Sequence, residues 1–244
     1  MFAARAEALL ELGRYAEALP LFERALAEAE RGDLGGRVDR LDHGSLGQLL
    51  HRIGWCHSNL GRLAEAQTWY ERALAEKQQG DRHGRIDHES VSRSLHEIGW
   101  CLEGLERFAE ALPWLERAVA EAERGDVHGR VDHRSVGVSF HLMGDCNYML
   151  ERFSQAQAWY ERAITEKQRG DLDGKVDHED LGLSLHGVGE CLEKLGRLAE
   201  ALAWLERALA AKQQGDLDGG VDRQSLVIST GLLEHCRERL RRSR

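Results

Sequence analysis

From Ser90 to Glu106 the apolar side chains return every three or four positions, at Val91, Leu95, Ile98, Cys101 (or Leu102) and Leu105. That spacing describes one face of an α-helix. A second helical pattern follows in RFAEALPWLERAVAEAERG, where Phe108, Ala111, Leu112, Leu115, Ala118 and Val119 share a face and Glu and Arg occupy the other. The ends are marked as well. Asp87 stands just ahead of the first helix, with a side-chain oxygen able to cap its free amides, and Asp42, Asp132 and Asp177 hold the same place in other copies. Gly125 follows the second helix, where a left-handed residue ends it. Pro113 falls about one turn into that helix, where a missing N–H is expected to cost little. No segment alternates strictly, so strands are not expected.

The helix pair is one copy of several. The segment GDxxG begins at Gly32, Gly80, Gly125, Gly170 and Gly215, a step of 48 residues followed by three of 45. Three additional residues in VDRLDH (Val38 to His43) account for the longer step. Cysteines at 56, 101, 146, 191 and 236, tryptophans at 69, 114, 159 and 204, and histidines at 51, 96, 141 and 186 keep the 45-residue step. Self-similarity at such a period specifies a solenoid, in which each unit buries its apolar face only against its neighbours. The chain reads as about eleven helices in one repeat domain over 1–244. It holds a partial first repeat (1–41), full repeats at 42–86, 87–131, 132–176 and 177–221, and a closing helix at 222–244. Gly13-Arg14-Tyr15 matches Gly61-Arg62-Leu63, which makes the first helix short. Phe2, Leu9 and Leu10 are expected on an uncapped face, open to self-association or to a partner. At the other end Thr230, Glu234 and Arg237 replace Leu185, Gly189 and Leu192, the polar drift of a capping helix.

Leu95-x2-Ile98-Gly99-x2-Leu102 followed by Ala111-x3-Leu115-x2-Ala118 resembles the tetratricopeptide (TPR) pattern, and Leu185-x2-Val188-Gly189-x2-Leu192 with Ala201-x3-Leu205-x2-Ala208 repeats it. The 45-residue unit is similar to the long variant of kinesin light chains and many bacterial signalling proteins. The resemblance implies an all-α, right-handed TPR-like superhelical solenoid whose first helices line a concave groove for an extended peptide.

Composition narrows the function classes. A formal charge of −9 argues against a nucleic-acid binder with a broad basic face. No apolar run is long enough to span a membrane, and Arg5, Glu7 and Glu11 interrupt any export signal. The expected compartment is therefore the cytoplasm. An odd, evenly scattered set of five cysteines is no disulfide framework and reads as core packing. The Trp row is expected to fill the seam between repeats.

Under the resemblance, His51, His96, His141 and His186 fall in the groove, with Trp55, Trp100, Asp145 and Glu190 one turn further on and Ser58, Glu103, Tyr148 and Glu193 beyond. The candidate partner-binding set is His51, Trp55, His96, Trp100, His141, Asp145, Tyr148, His186 and Glu190. Alternatively, the histidines bond the neighbouring repeat. His141/Asp145 and His186/Glu190 each offer two ligands to a metal, short of the three or four an ion needs. In the loop DLDGKVDHED, Arg169 falls at the first ligand position of a calcium loop and argues against that use. No nucleophile motif or phosphate loop is present. These features point to a non-catalytic protein-interaction scaffold without cofactor, binding a protein or peptide, and the resemblance to bacterial signalling TPR arrays implies the sensor part of a larger bacterial regulator. A self-assembling array and a metal- or small-ligand-binding protein are the alternatives.

Overall fold

The structure is a computed structural model and describes residues 2–30 and 43–242. Two compact units divide the chain, Met1–Arg130 and Val131–Arg244. The first holds α1 (Phe2–Glu11), α2 (Tyr15–Glu30), α3 (His43–Asn59), α4 (Leu63–Lys77), α5 (His88–Gly104) and α6 (Phe108–Ala122). The second holds α7 (His133–Met149), α8 (Phe153–Lys167), α9 (His178–Lys194), α10 (Leu198–Lys212) and α11 (Arg223–Arg242). Among the described residues every element is a helix, and within each unit every helix packs on the next in sequence. The architecture is an all-α solenoid of antiparallel pairs.

The local signals act as their chemistry requires. Asp87, Asp132 and Asp177 cap α5, α7 and α9, each accepting from an amide two or three residues on. Asp42 lies outside the described residues. The GDxxG turn is built around its aspartate: Asp81 Oδ1 accepts from the amides of His83 and Arg85, and Asp126, Asp171 and Asp216 repeat the pattern. These amides hold Asp81 and Asp126 near pKa 2. Gly125 ends the second helix with φ +79°, where a Cβ would also strike the Arg130 carbonyl. His43, His88 and His133 then tie the start of each first helix to Glu76, Glu121 and Glu166 on its own second helix, at 2.6–2.7 Å.

Close approach of the paired helices depends on missing side chains. A Cβ at Gly54, Gly99, Gly144 or Gly189 would press into Tyr70, Leu115, Tyr160 or Leu205 at 2.5–2.8 Å. A second seat, at Gly47, Gly137 and Gly182, receives the stems of Lys77, Lys167 and Lys212, whose Cγ atoms lie 2.4–2.6 Å from where a Cβ would stand. In the remaining pair the lysine is Ala122, and the seat is filled by Ser92, which donates to the Ala118 carbonyl at 2.7 Å. In α11 both seats are lost, to Val227 and Glu234.

Three expectations change. Phe2, Leu9 and Leu10 are half-buried: the Arg24 guanidinium covers the Phe2 ring at 4.1 Å, and both leucines pack on the core formed by α1–α4. Leu12 is the exposed apolar residue there. The Trp row packs on the core with one face only: Trp69 and Trp204 lie against the apolar clusters, and Trp159 stacks on Phe140. Trp69, Trp114, Trp159 and Trp204 stay half-buried beneath Arg72, Arg117, Arg162 and Arg207, at 4.2–4.9 Å. Pro113 and Pro20 are each the sixth residue of a helix, beyond the first turn, so a ladder bond is lost to the carbonyls of Ala109 and Ala16. Both alanines are exposed, so their carbonyls are open to solvent. The five cysteines are free and fully buried.

Substituting Gly182→Ser should destabilise the protein by about 1–3 kcal/mol, the range for overpacking a core. Adding Lys212→Ala recreates the Ser92/Ala122 arrangement and should recover most of that loss. Denaturant unfolding of the two single variants and the double variant measures the coupling, and simple additivity would contradict the packing account.

Candidate binding groove and the polar joints beneath it

In the first unit the first helices α1, α3 and α5 border a groove of about 700 Å³. His51 and Trp55 of α3 line it, together with Glu7, Arg52, Lys77, Asp87, Ser90 and Arg93. Trp55 is 37% exposed. A smaller cavity of about 190 Å³ shares Ser45, Gln48, Lys77, Asp87 and Ser90 with it. His96 and Trp100 are on α5 outside the lining of the groove; His96 is half-buried and Trp100 is 39% exposed. In the second unit, His141 Nε2 stands 3.5 Å from Asp145 Oδ2, and His186 Nε2 3.6 Å from Glu190 Oε1. Asp145 also accepts from the Tyr160 hydroxyl at 2.6 Å, and burial raises its carboxyl to about 6. Tyr148 lies edge-on to Phe153. Glu193, three residues beyond Glu190, is buried by Arg239 of α11. Among the described residues no third His, Cys, Asp or Glu joins either i,i+4 pair to make a metal-ligand group.

Below these residues lies a polar joint that repeats. Lys77, at the end of α4, donates to Ser94 Oγ at 2.8 Å and to the Ser90 carbonyl at 2.9 Å, and Ser94 Oγ is 3.2 Å from His51 Nδ1. Lys167, Ser184 and His141 repeat this at 2.9 and 3.0 Å, and Lys212, Ser229 and His186 at 3.0 and 3.1 Å. Each serine oxygen accepts from the lysine and meets the histidine Nδ1 on its other side. Burial favours the neutral imidazole at two of these joints, holding His51 well below its ordinary pKa and His141 near 3. A serine between lysine and histidine has the parts of a nucleophile, but Ser94, Ser184 and Ser229 are fully buried, beyond reach of a substrate.

His51, His141 and His186 therefore bond the next first helix through Nδ1, and this edge is unavailable to a ligand. The lysines and serines of the joint were not among the sequence candidates. Their signal was present: Lys77, Lys167 and Lys212 keep the 45-residue register with Ser94, Ser184 and Ser229, and the single loss, Ala122, coincides with the single Ser92 at the glycine seat.

Models of the tetratricopeptide repeat match residues 2–79, 92–123 and 185–216. The chain belongs to the tetratricopeptide repeat family. Solved TPR-type structures share the fold. BtubC (BKLC) from P. vanneervenii is 19% identical with a TM-score of 0.71, over 91% of this chain and 82% of that one. A kinesin-light-chain-type protein of nearly identical TPR-like repeats from Podosopora anserina is 19% identical with a TM-score of 0.62, over 87% and 94%. The Rap protein solved in complex with Competence and Sporulation Factor is 14% identical with a TM-score of 0.61, over 96% and 63%. No curated protein sequence matches the chain. Among the described residues of this TPR protein, no helix is long and apolar enough to cross a membrane.

Burial lowers the Lys77 ammonium from 10.5 to about 7, with Arg93 and Arg52 adding to the shift and Asp87 and Glu97 opposing it. Between these values the unfolded chain holds a proton that the folded chain has released, so stability rises with pH across that window. Relative to Lys77→Met, the wild type should gain on the order of a few kcal/mol from pH 7 to pH 10. Parallel stability–pH curves for the two proteins would contradict a buried, depressed lysine.

Proposed function

We propose that this TPR protein is a non-catalytic interaction scaffold that holds a peptide or partner segment in the groove of its first helices. The observation that carries the reading is the groove of about 700 Å³ in the first unit, with a half-exposed tryptophan and a mixed set of charges along its walls. A ligand site of that size combines apolar contact with a few placed polar groups. The full burial of the three joint serines supports the absence of catalysis. That the Rap protein, of the same fold, was solved in complex with Competence and Sporulation Factor is consistent with a second molecule seated on such an array.

On this reading Trp55 and Trp100 contact the partner directly. The histidines position the wall behind them, while Asp145, Tyr148 and Glu190 serve the second unit in the same way. A role as the sensor of a larger cytoplasmic regulator fits a scaffold of this kind. Affinity capture with the full chain should retrieve a partner that is lost with Trp55→Ala/Trp100→Ala. Both side chains are substantially exposed, so the variant should keep its circular dichroism and melting temperature. Undiminished capture by the folded variant would contradict the groove assignment.

A further inference from the structure

We propose that Lys77 receives a carboxylate from the bound segment, which makes the ligand of the first unit an acidic peptide. The inference rests on the groove reading above and adds to it the class of ligand.

The chain supplies its own comparison. Lys77 and Lys167 hold the same place in their repeats, donate to equivalent serines, and both reach the carbonyl of the third residue of the following first helix, Ser90 and Asp180 respectively. They differ in the side chain at that residue. Asp180 turns back and sets Oδ1 2.6 Å from Lys167 Nζ, closing an ion pair. Ser90 brings no charge, and among the described residues no carboxylate pairs with Lys77. Lys77 is only 5% exposed, yet it borders both the larger and the smaller cavity. A buried ammonium without a counter-charge is costly. Here that cost is left open at the wall of a groove. Lys212 also faces a serine, Ser225, but lines neither cavity.

The rest of the groove has the same bias. Arg52 and Arg93 extend from α3 and α5 with side chains 46% and 58% exposed. Arg52 is paired with Glu7 at 3.1 Å and Arg93 with Glu89 at 3.5 Å, while Asp87 Oδ1 accepts from the Ser90 amide as the cap of α5. Of the three cations that line the groove, Lys77 is the one without a carboxylate partner among the described residues. A carboxylate entering beside Ser90 meets Lys77 in the position that Asp180 takes toward Lys167, as a charge-assisted hydrogen bond. Trp55 offers the apolar contact for a neighbouring residue of the same peptide.

The test is selection of random heptapeptides displayed against the full chain, followed by affinity measurement with wild type, Ser90→Asp and Ser90→Asn. The Asp variant installs the internal partner that Lys167 already has. At the start of a helix it is compatible with folding, as Asp180 shows. The proposal expects selected peptides enriched in Asp or Glu, with affinity reduced at least about tenfold by Ser90→Asp and less than about threefold by Ser90→Asn, a tenfold loss being about 1.4 kcal/mol. Peptides selected without acidic enrichment, or unaffected by Ser90→Asp, would overturn the role of Lys77 and leave the groove reading standing. Selection of no peptide would remove the groove reading and this proposal together. Displacement by inorganic phosphate at lower concentration than by glutarate would replace the carboxylate with a phosphate and overturn the proposal as stated.

Discussion

At each polar joint of this solenoid one buried serine oxygen is shared by two neighbours, a lysine that donates to it and a histidine that meets it through Nδ1. That shared oxygen holds three helices in one register. In the first unit these are α3 with His51, α4 with Lys77 and α5 with Ser94. Apolar packing between the same helices is non-directional and tolerates small slides. A buried hydrogen-bond chain does not, because a displaced member leaves its partners unsatisfied. The glycine seats are the geometric condition for the chain, since the lysine stem crosses the first helix where any Cβ would stand.

The same constraint separates the roles of the groove residues. The histidines spend Nδ1 on architecture, so the ligand-facing chemistry is left to residues that vary between repeats. At the place of Arg93 the other copies carry Gln48, Val138, Leu183 and Ile228, and at the place of Arg52 they carry Glu97, Leu142, Gly187 and Leu232. Asp180 neutralises Lys167, whereas Ser90 brings no charge to Lys77 at the wall of the groove. A near-copied scaffold thus carries different surfaces, and its two lysines differ by one side chain thirteen residues on.

Much of the fold was legible because periodicity reports burial. The helix pairs, the aspartate caps, the left-handed glycines and the buried cysteines all repeat with the core. What escaped had a different physical origin. Gly47 and Lys77 lie thirty residues apart, and their complementarity is visible only when the two positions are known to face each other. The exposed N-terminal face was over-read because Arg24 folds over Phe2, a contact with no periodic signature. The tryptophans were assigned wholly to a seam, but each packs on the core with one face and is covered on the other by an arginine three residues on. In the candidate site, the repeated histidines drew attention through their register. Arg52, Arg93 and Lys77, which give the groove its sign, have no such regularity or were hidden within a helical face.

The central claim is that Lys77 is a buried cation short of a partner, and its own titration tests this most directly. Carbon-detected NMR of the Lys77 side chain should show an inflection near 7, moving upward in Ser90→Asp as the new carboxylate stabilises the ammonium. An inflection near 10.5, indifferent to that substitution, would contradict the account.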